Sequence, residues 1–355
     1  MQAILPSKPL KEAVQQLTAT LGGSGNPLLE MLYLQSAPGE LCLSSTNGKI
    51  SQHIRVKGEV TRGSTLLVPG APFRSLLHYC VGETTRLVLQ ENTLHIQSGG
   101  FAADLKQSAP HHYPALEWAE GEISLPGHLL AEALETVAYP AKTQITPGLQ
   151  GVRLEIRPEG MRTVATDNFR LAWQEYPLEH PSPPAEALLP LPFVRLVAQA
   201  LKHHPQPVRL KLDEQAVTIR ADGLALHSHL LSGRFPPYQQ VAAFQTPYCI
   251  TLEAPLLAEA LKRMALLHSG RAPRVTLQAA DGQLTLHTQG ELGTATERLA
   301  AEVQAPITFH VNAYYLLEAL EPLPGSASLY LLKPDSPLRL EGSRPGYRAI
   351  LAPMK

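Results

Sequence analysis

Fourteen histidines, three cysteines and 31 Asp and Glu residues supply material for acid–base, nucleophilic or metal chemistry, but their spacing does not gather it. The adjacent pairs His111-His112 and His203-His204 put neighbouring rings on different faces of a strand or helix, so neither suits a shared metal. Cys42, Cys80 and Cys249 lack the paired spacing of a disulfide framework or a zinc ribbon and read as small buried apolar residues. Asp104, Asp167, Asp213 and Asp222 fall in separate strand-and-turn contexts, each without an acidic partner. No glycine-rich nucleotide loop, HExxH helix or GxSxG elbow occurs. An enzymatic reading would rest on Arg170 beside Asp167, and it lacks both a nucleophile and a base. The expectation is therefore no catalytic residue, no metal and no cofactor, with binding as the alternative.

The elements that position these residues come from a repeat. Leu129-Leu130-Ala131-Glu132-Ala133-Leu134 returns letter for letter 127 residues later as Leu256-Leu257-Ala258-Glu259-Ala260-Leu261. Its strand-like lead-in returns too, Ile123-Ser124-Leu125 as Ile250-Thr251-Leu252. A worn copy lies 120 residues upstream, where Leu5, Pro6, Leu10, Glu12, Ala13 and Val14 match Leu125, Pro126, Leu130, Glu132, Ala133 and Leu134. A period of this length is a whole small domain, not a solenoid unit. The spacing predicts first helices over 8–21 (stopped by Gly22-Gly23) and 254–268, and second helices over about 72–79, 192–203 and 312–321. Hairpins are predicted at 86–96, 209–219 and 274–288, and strands at 328–332, 338–341 and 347–351. The result is an α+β fold of three similar domains, 1–119, 120–246 and 247–355, each with two helices packed on antiparallel sheet.

Composition agrees with this and narrows it. The chain has 44% hydrophobic and 17% charged residues, and no run nears the roughly 18 apolar residues of a membrane span. Met1 to Pro6 is too short and too soon broken for a signal peptide, so a cytoplasmic protein away from membranes is expected. With a net charge of −1, any nucleic-acid contact needs a locally basic face.

Four stretches carry a resemblance. Ala165-Thr166-Asp167-Asn168-Phe169-Arg170-Leu171-Ala172 is similar to the ATDGHRLA signature of the bacterial sliding clamp, the β subunit of DNA polymerase III. Gly233-Arg234-Phe235-Pro236-Pro237-Tyr238 resembles that family's GRFPDY, and Ile350-Leu351-Ala352-Pro353-Met354-Lys355 its VVMPMRL. Asn312 and Tyr315, followed by Leu316 to Leu320, resemble its N-x-x-Y-L-L-D-A-L helix. The resemblance covers the full length, tripled fold included. It implies a processivity factor for DNA replication, a head-to-tail homodimer closing a ring of six domains around duplex DNA. Helices would line the hole, with the strand near Phe101 to Lys106 as a candidate joint edge.

By the same resemblance, the replicative polymerase, the clamp loader and other clamp-binding partners dock short apolar peptides in a cleft between the second and third domains. Carried over, its lining is Leu149, Thr166, Asn168, Phe169, Arg170, Leu171, Pro236, Gln240, Val241, Asn312, Tyr315, Ile350, Leu351, Ala352, Pro353, Met354 and Lys355, with Arg170 and Asn312 suited to orient peptide carbonyls. The sequence departs from the family where its Gly-His is Asn168-Phe169, its arginine is Gln240 and its first C-terminal methionine is Ala352. Sequence-independent contact with DNA phosphates falls to Lys8, Lys11, Arg74, Lys142, Arg195, Lys202, Lys262 and Arg263, in or beside the helices. Acids at Glu132, Glu135, Glu259, Glu318 and Glu321 share those helices, and Ser24 stands where the family has a DNA-contacting arginine. A repeat-built scaffold that binds peptides without closing on DNA is the other binding-only reading.

Overall fold

The repeated hexapeptide is helical at both occurrences and buries the same positions: Leu130, Ala133 and Leu134 in one copy, Leu257, Ala260 and Leu261 in the other. The fold comes from a computed structural model that describes every residue except 23–24, 117, 144–145, 147, 179–181, 205, 240–245 and 355. The side chains of residues 62, 142 and 143 also lie outside the described set. Expectations for Gly23, Ser24, Lys142, Gln240, Val241 and Lys355 therefore fall beyond it.

The described residues form six α-helices and antiparallel strands. The helices are α1 (Ser7–Thr18), α2 (Gly70–His78), α3 (Gly127–Val137), α4 (Leu191–Leu201), α5 (Ala254–Ala265) and α6 (Ala313–Leu320). None is long and apolar enough to cross a membrane. Helix α1 ends three residues earlier than expected. The hydroxyls of Thr18 and Thr20 donate to the carbonyls of Gln15 and Leu17 at 2.8 and 2.9 Å, competing with continuation of the helix.

The chain packs as two compact units: Met1–Leu130 with Gln199–Leu230, and Ala131–Ala198 with Leu231–Lys355. The first unit holds a five-stranded sheet in the order β5 (Glu59–Arg62), β1 (Gln2–Pro6), β7 (Thr84–Gln90), β8 (Thr93–Ser98), β9 (Phe101–Lys106). It also holds an eight-stranded sheet, β10 (Ile123–Pro126), β15 (Pro207–Leu212), β16 (Ala216–Ala221), β17 (Leu224–His229), β4 (Ile50–Lys57), β3 (Glu40–Thr46), β2 (Met31–Ala37), β6 (Thr65–Pro69). Leu10, Val14 and Leu17 of α1 pack with Phe73 and Leu77 of α2 on Leu87, Leu94 and Ile96. Each such side chain removed from water contributes roughly 1.5–3 kcal/mol before entropy is set against it.

The second unit has a nine-stranded sheet, β14 (Ala185–Pro190), β11 (Gly151–Arg157), β12 (Gly160–Thr166), β13 (Arg170–Pro177), β26 (Tyr347–Leu351), β25 (Leu338–Gly342), β24 (Ser326–Leu331), β18 (Tyr248–Glu253), β22 (Glu302–Val303). A four-stranded sheet follows the order β21 (Gly293–Ala300), β20 (Gln283–Gly290), β19 (Arg274–Ala280), β23 (Ile307–Asn312). Both large sheets run through the expected domain boundaries, because β4 pairs with β17 and β13 with β26. Pairing of this kind ties successive thirds of the chain into shared sheets.

Candidate partner-binding cleft

Strand β12 runs out at Thr166 and the chain reverses into β13 through a turn closed by its own side chains. The Thr166 hydroxyl donates to the Arg170 carbonyl at 2.7 Å, and Asp167 Oδ1 accepts the Phe169 and Arg170 N–H groups at 2.9 and 2.6 Å. Asn168 sits at φ 71°, a left-handed conformation that Asn tolerates better than most residues. The Ala352 N–H donates to the Phe169 carbonyl at 2.7 Å, so the carboxy-terminal segment is tied to this turn. Cross-strand register sets Leu171 opposite Ile350 and Arg170 opposite Leu351.

Alternation along the strands then sorts the sequence-predicted residues. Leu171 and Ile350 join Val164, Trp173, Phe235 and Tyr238 in one apolar cluster. Arg170 stands on the other side of the pleat, with its guanidinium 4.2 Å from the Tyr315 ring centroid and 5.8 Å from that of Tyr139. Phe169 is 59% exposed, Asn168 and Ala352 are exposed, and Pro236, Asn312, Tyr315, Pro353 and Met354 are half-buried. Leu149, Thr166, Leu171, Ile350 and Leu351 are buried. Thr166, Asn168, Phe169, Arg170, Leu171, Tyr315, Ile350, Leu351 and Ala352 thus come together at one strand end, where exposed Phe169 adjoins the buried Leu171 and Ile350.

Arg170 itself is committed. It is only 4% exposed, its Nε donates to Asp167 Oδ2 at 2.8 Å, and it also pairs with Glu318 on α6. Burial alone would pull its pKa down, but Asp167 and Glu318 more than offset that and raise it. The Asn312 side chain accepts the Tyr314 N–H and caps α6. Arg170 therefore holds the turn in place through Asp167 and Glu318. Sequence reasoning missed Tyr139 and Tyr347, whose hydroxyls lie 3.2 Å apart while Tyr347 also donates to the Ala319 carbonyl. Burial pushes both phenols well above the usual range. Their separation of 208 residues left no local signal.

The basic candidates sit where helices meet solvent. Lys8, Arg74, Arg195, Lys202, Lys262 and Arg263 are exposed, and Lys11 is half-exposed. Lys262 pairs with Glu259 at 2.7 Å and Arg263 with Glu297 at 2.5 Å, which blunts both as free cations. Among the described residues no group of three or more His, Cys, Asp or Glu could hold a metal.

Helices packed on antiparallel sheets, in a pattern that recurs along the chain, define a clamp-type α+β fold, and comparison with known proteins makes this specific. Residues 124–237 match the family model described as the DNA polymerase III beta subunit, central domain, and residues 245–354 its C-terminal domain. The chain belongs to the bacterial DNA polymerase III β-subunit, or sliding-clamp, family. Among curated relatives, the Beta sliding clamp of Streptomyces coelicolor is 28% identical over 305 residues, covering 83% of this chain and 81% of that one. That of Escherichia coli K12 is 26% identical over 336 residues, covering 91% and 90%. The β subunit structure from Streptococcus pyogenes superposes with a TM-score of 0.94 at 19% identity, covering 100% of both chains. A Pseudomonas aeruginosa clamp solved bound to griselimycin gives 0.94 at 20%, covering 100% of this chain and 99% of that one.

Proposed function

We propose that this chain is a non-catalytic processivity clamp that works in the cytoplasm: a head-to-tail homodimer that encircles duplex DNA and tethers the replicative polymerase, the clamp loader and other partners through the cleft at Phe169. Family membership across both matched domains carries the reading. Two surfaces support the joint. Strand β9 ends its sheet with one side unpaired, and exposed Tyr79 and Val81 lie beside it, the next residue Gly82 donating its N–H to Ser98 in the adjoining β8. Strand β21 likewise ends its sheet, flanked by exposed Leu266 and Leu292, the latter donating to the Leu267 carbonyl. An unpaired edge beside exposed apolar side chains marks a surface that another chain covers. Two different surfaces, one from each unit, make a heterologous contact, which yields a closed dimer when the rotations sum to a full turn. The three domains 1–119, 120–246 and 247–355 of each chain would then make six around the ring, the helices facing DNA with Lys8, Arg195 and Lys202, which pair with no acid among the described residues.

The test is the mass in solution. A closed dimer weighs twice 38.6 kDa. Val81→Glu, which sets a charge into the joint, should give a folded monomer with unchanged circular dichroism. A wild-type chain that stays monomeric at micromolar concentration would remove the ring.

A further inference from the structure

The wall of the cleft that carries Pro236 is a short strap, Arg234 to Tyr238, laid over the sheet, and a buried carboxylate lies beneath it. Glu155 on β11 is 1% exposed. Its Oε1 accepts the Tyr238 hydroxyl at 3.0 Å and lies 2.9 Å from Arg153 Nε, while Oε2 accepts from Arg157 at 2.7 Å. Arg162 donates to the same Tyr238 oxygen at 2.9 Å and also to Glu175 at 2.6 Å. The strap is gripped at its other end as well. Gly148 has φ 84°, and a Cβ there would come 3.2 Å from the Arg234 carbonyl, so glycine permits the backbone approach.

The internal repeat shows that this cluster is not needed merely to lay a strap. The first unit has one of its own, Tyr113-Pro114-Ala115-Leu116, in the place of Phe235-Pro236-Pro237-Tyr238. There Tyr113 stacks on Tyr33 with centroids 5.5 Å apart, as Phe235 sits under Arg153 at 5.7 Å. Gln35 stands 120 residues before Glu155, and Leu116 stands in the place of Tyr238. That strap is held by stacking and by the Tyr113 hydroxyl, which donates to the Met31 carbonyl at 3.4 Å, whereas the one beside the cleft has a buried ion cluster. Such a cluster fixes geometry more than it adds stability, since desolvating the charges offsets much of their attraction.

We propose that Glu155 and Tyr238 are positioning residues of the cleft: their hydrogen bond fixes the height and angle of the Pro236 wall over Leu171 and Ile350, and thereby sets affinity for partner peptides. This rests on the cleft being the partner site. A wall fixed before binding has less freedom to lose when the peptide docks.

The test measures binding of a fluorescent pentapeptide ending in Leu-Phe to the full-length dimer, alongside Tm and amide exchange at Phe235. Tyr238→Phe keeps the ring and loses the hydroxyl; Glu155→Gln weakens the same bond by replacing the charged carboxylate acceptor with a neutral amide oxygen. Each should raise Kd roughly five- to tenfold and speed exchange at Phe235, with the double variant no worse than the poorer single, because both act through one bond. A lower Tm with Kd unchanged would make the cluster structural only, and additive losses would separate the two residues; either result overturns the inference. If the wild-type dimer fails to bind the peptide, or binds it equally well after Phe169→Ala, the cleft reading falls and this inference with it.

Discussion

Phe169 is a large aromatic side chain held out in water at 59% exposure, on a backbone fixed by hydrogen bonds at its own N–H and carbonyl. A rigid exposed ring beside an apolar floor is the kind of residue that dominates binding energy when a partner covers it. Phe169→Ala should raise the Kd of a Leu-Phe peptide by about tenfold, near 1.4 kcal/mol, and leave Tm within a degree, as titration calorimetry and a melt would show. Arg170 predicts the reverse pattern. Its replacement by Met leaves Asp167, itself 3% exposed, without its countercharge, and breaking a buried pair on one side costs about 3–5 kcal/mol. Stability should therefore collapse in urea before any peptide is added. The adjacency of Asp167 and Arg170 was plain in the sequence. Their commitment to each other and to Glu318, 148 residues from Arg170, was not, because nothing local encodes a long-range guanidinium contact.

Turn geometry repeats as faithfully as the helices do. Thr46, Asn47 and Gly48 make the same bonds as Thr166, Asp167 and Asn168: Thr46 Oγ1 donates to the Ile50 carbonyl, and Asn47 Oδ1 accepts the N–H groups of Lys49 and Ile50. Gly48 has φ 85° where Asn168 has 71°. Asn168→Gly should accordingly be near neutral, while Asn168→Ala should cost about 1–2 kcal/mol in a chemical melt, the penalty of a Cβ in the left-handed region. Helix starts were legible because proline and the alternating lead-in strands mark them. Less legible was β21, whose burial alternates from Gly293 to Ala300 while its half-buried face carries Gly293, Ala295, Glu297 and Leu299, so no apolar alternation marks it in the sequence. The shared turn does not create a second cleft, however. The positions equivalent to the paired Leu171 and Ile350 are the paired Ser51 and His227, so the first unit offers a polar floor where the second offers an apolar one. Titration calorimetry should find one peptide per chain, and a stoichiometry of two would contradict the contrast between the floors.

At the scale of the whole molecule, charge decides how DNA can be held. The net charge is −1, Lys262 and Arg263 are already paired with acids, and Glu132, on α3, pairs with Arg344. Free cations on the helices are thus few among the described residues, and each phosphate contact adds only about one to the salt exponent of binding. On the proposed function the protein must stay on DNA for long stretches of synthesis, and electrostatic affinity alone, which dissociates readily at physiological salt, would not keep it there without closure. After loading, the wild-type dimer should remain on nicked circular DNA through moderate salt and leave linear DNA by its ends within the time of a gel-filtration run. Blocking both ends of the linear DNA with bound protein should restore retention. Lys202→Ala, which removes one unpaired cation, should lower the free-protein affinity and its salt slope slightly while leaving retention on circles intact. Val81→Glu should do the opposite, abolishing retention on circles without altering weak binding to short duplexes. Equal retention of wild type on open linear and circular DNA would mean that ordinary phosphate attraction, and not a closed ring, holds the protein in place.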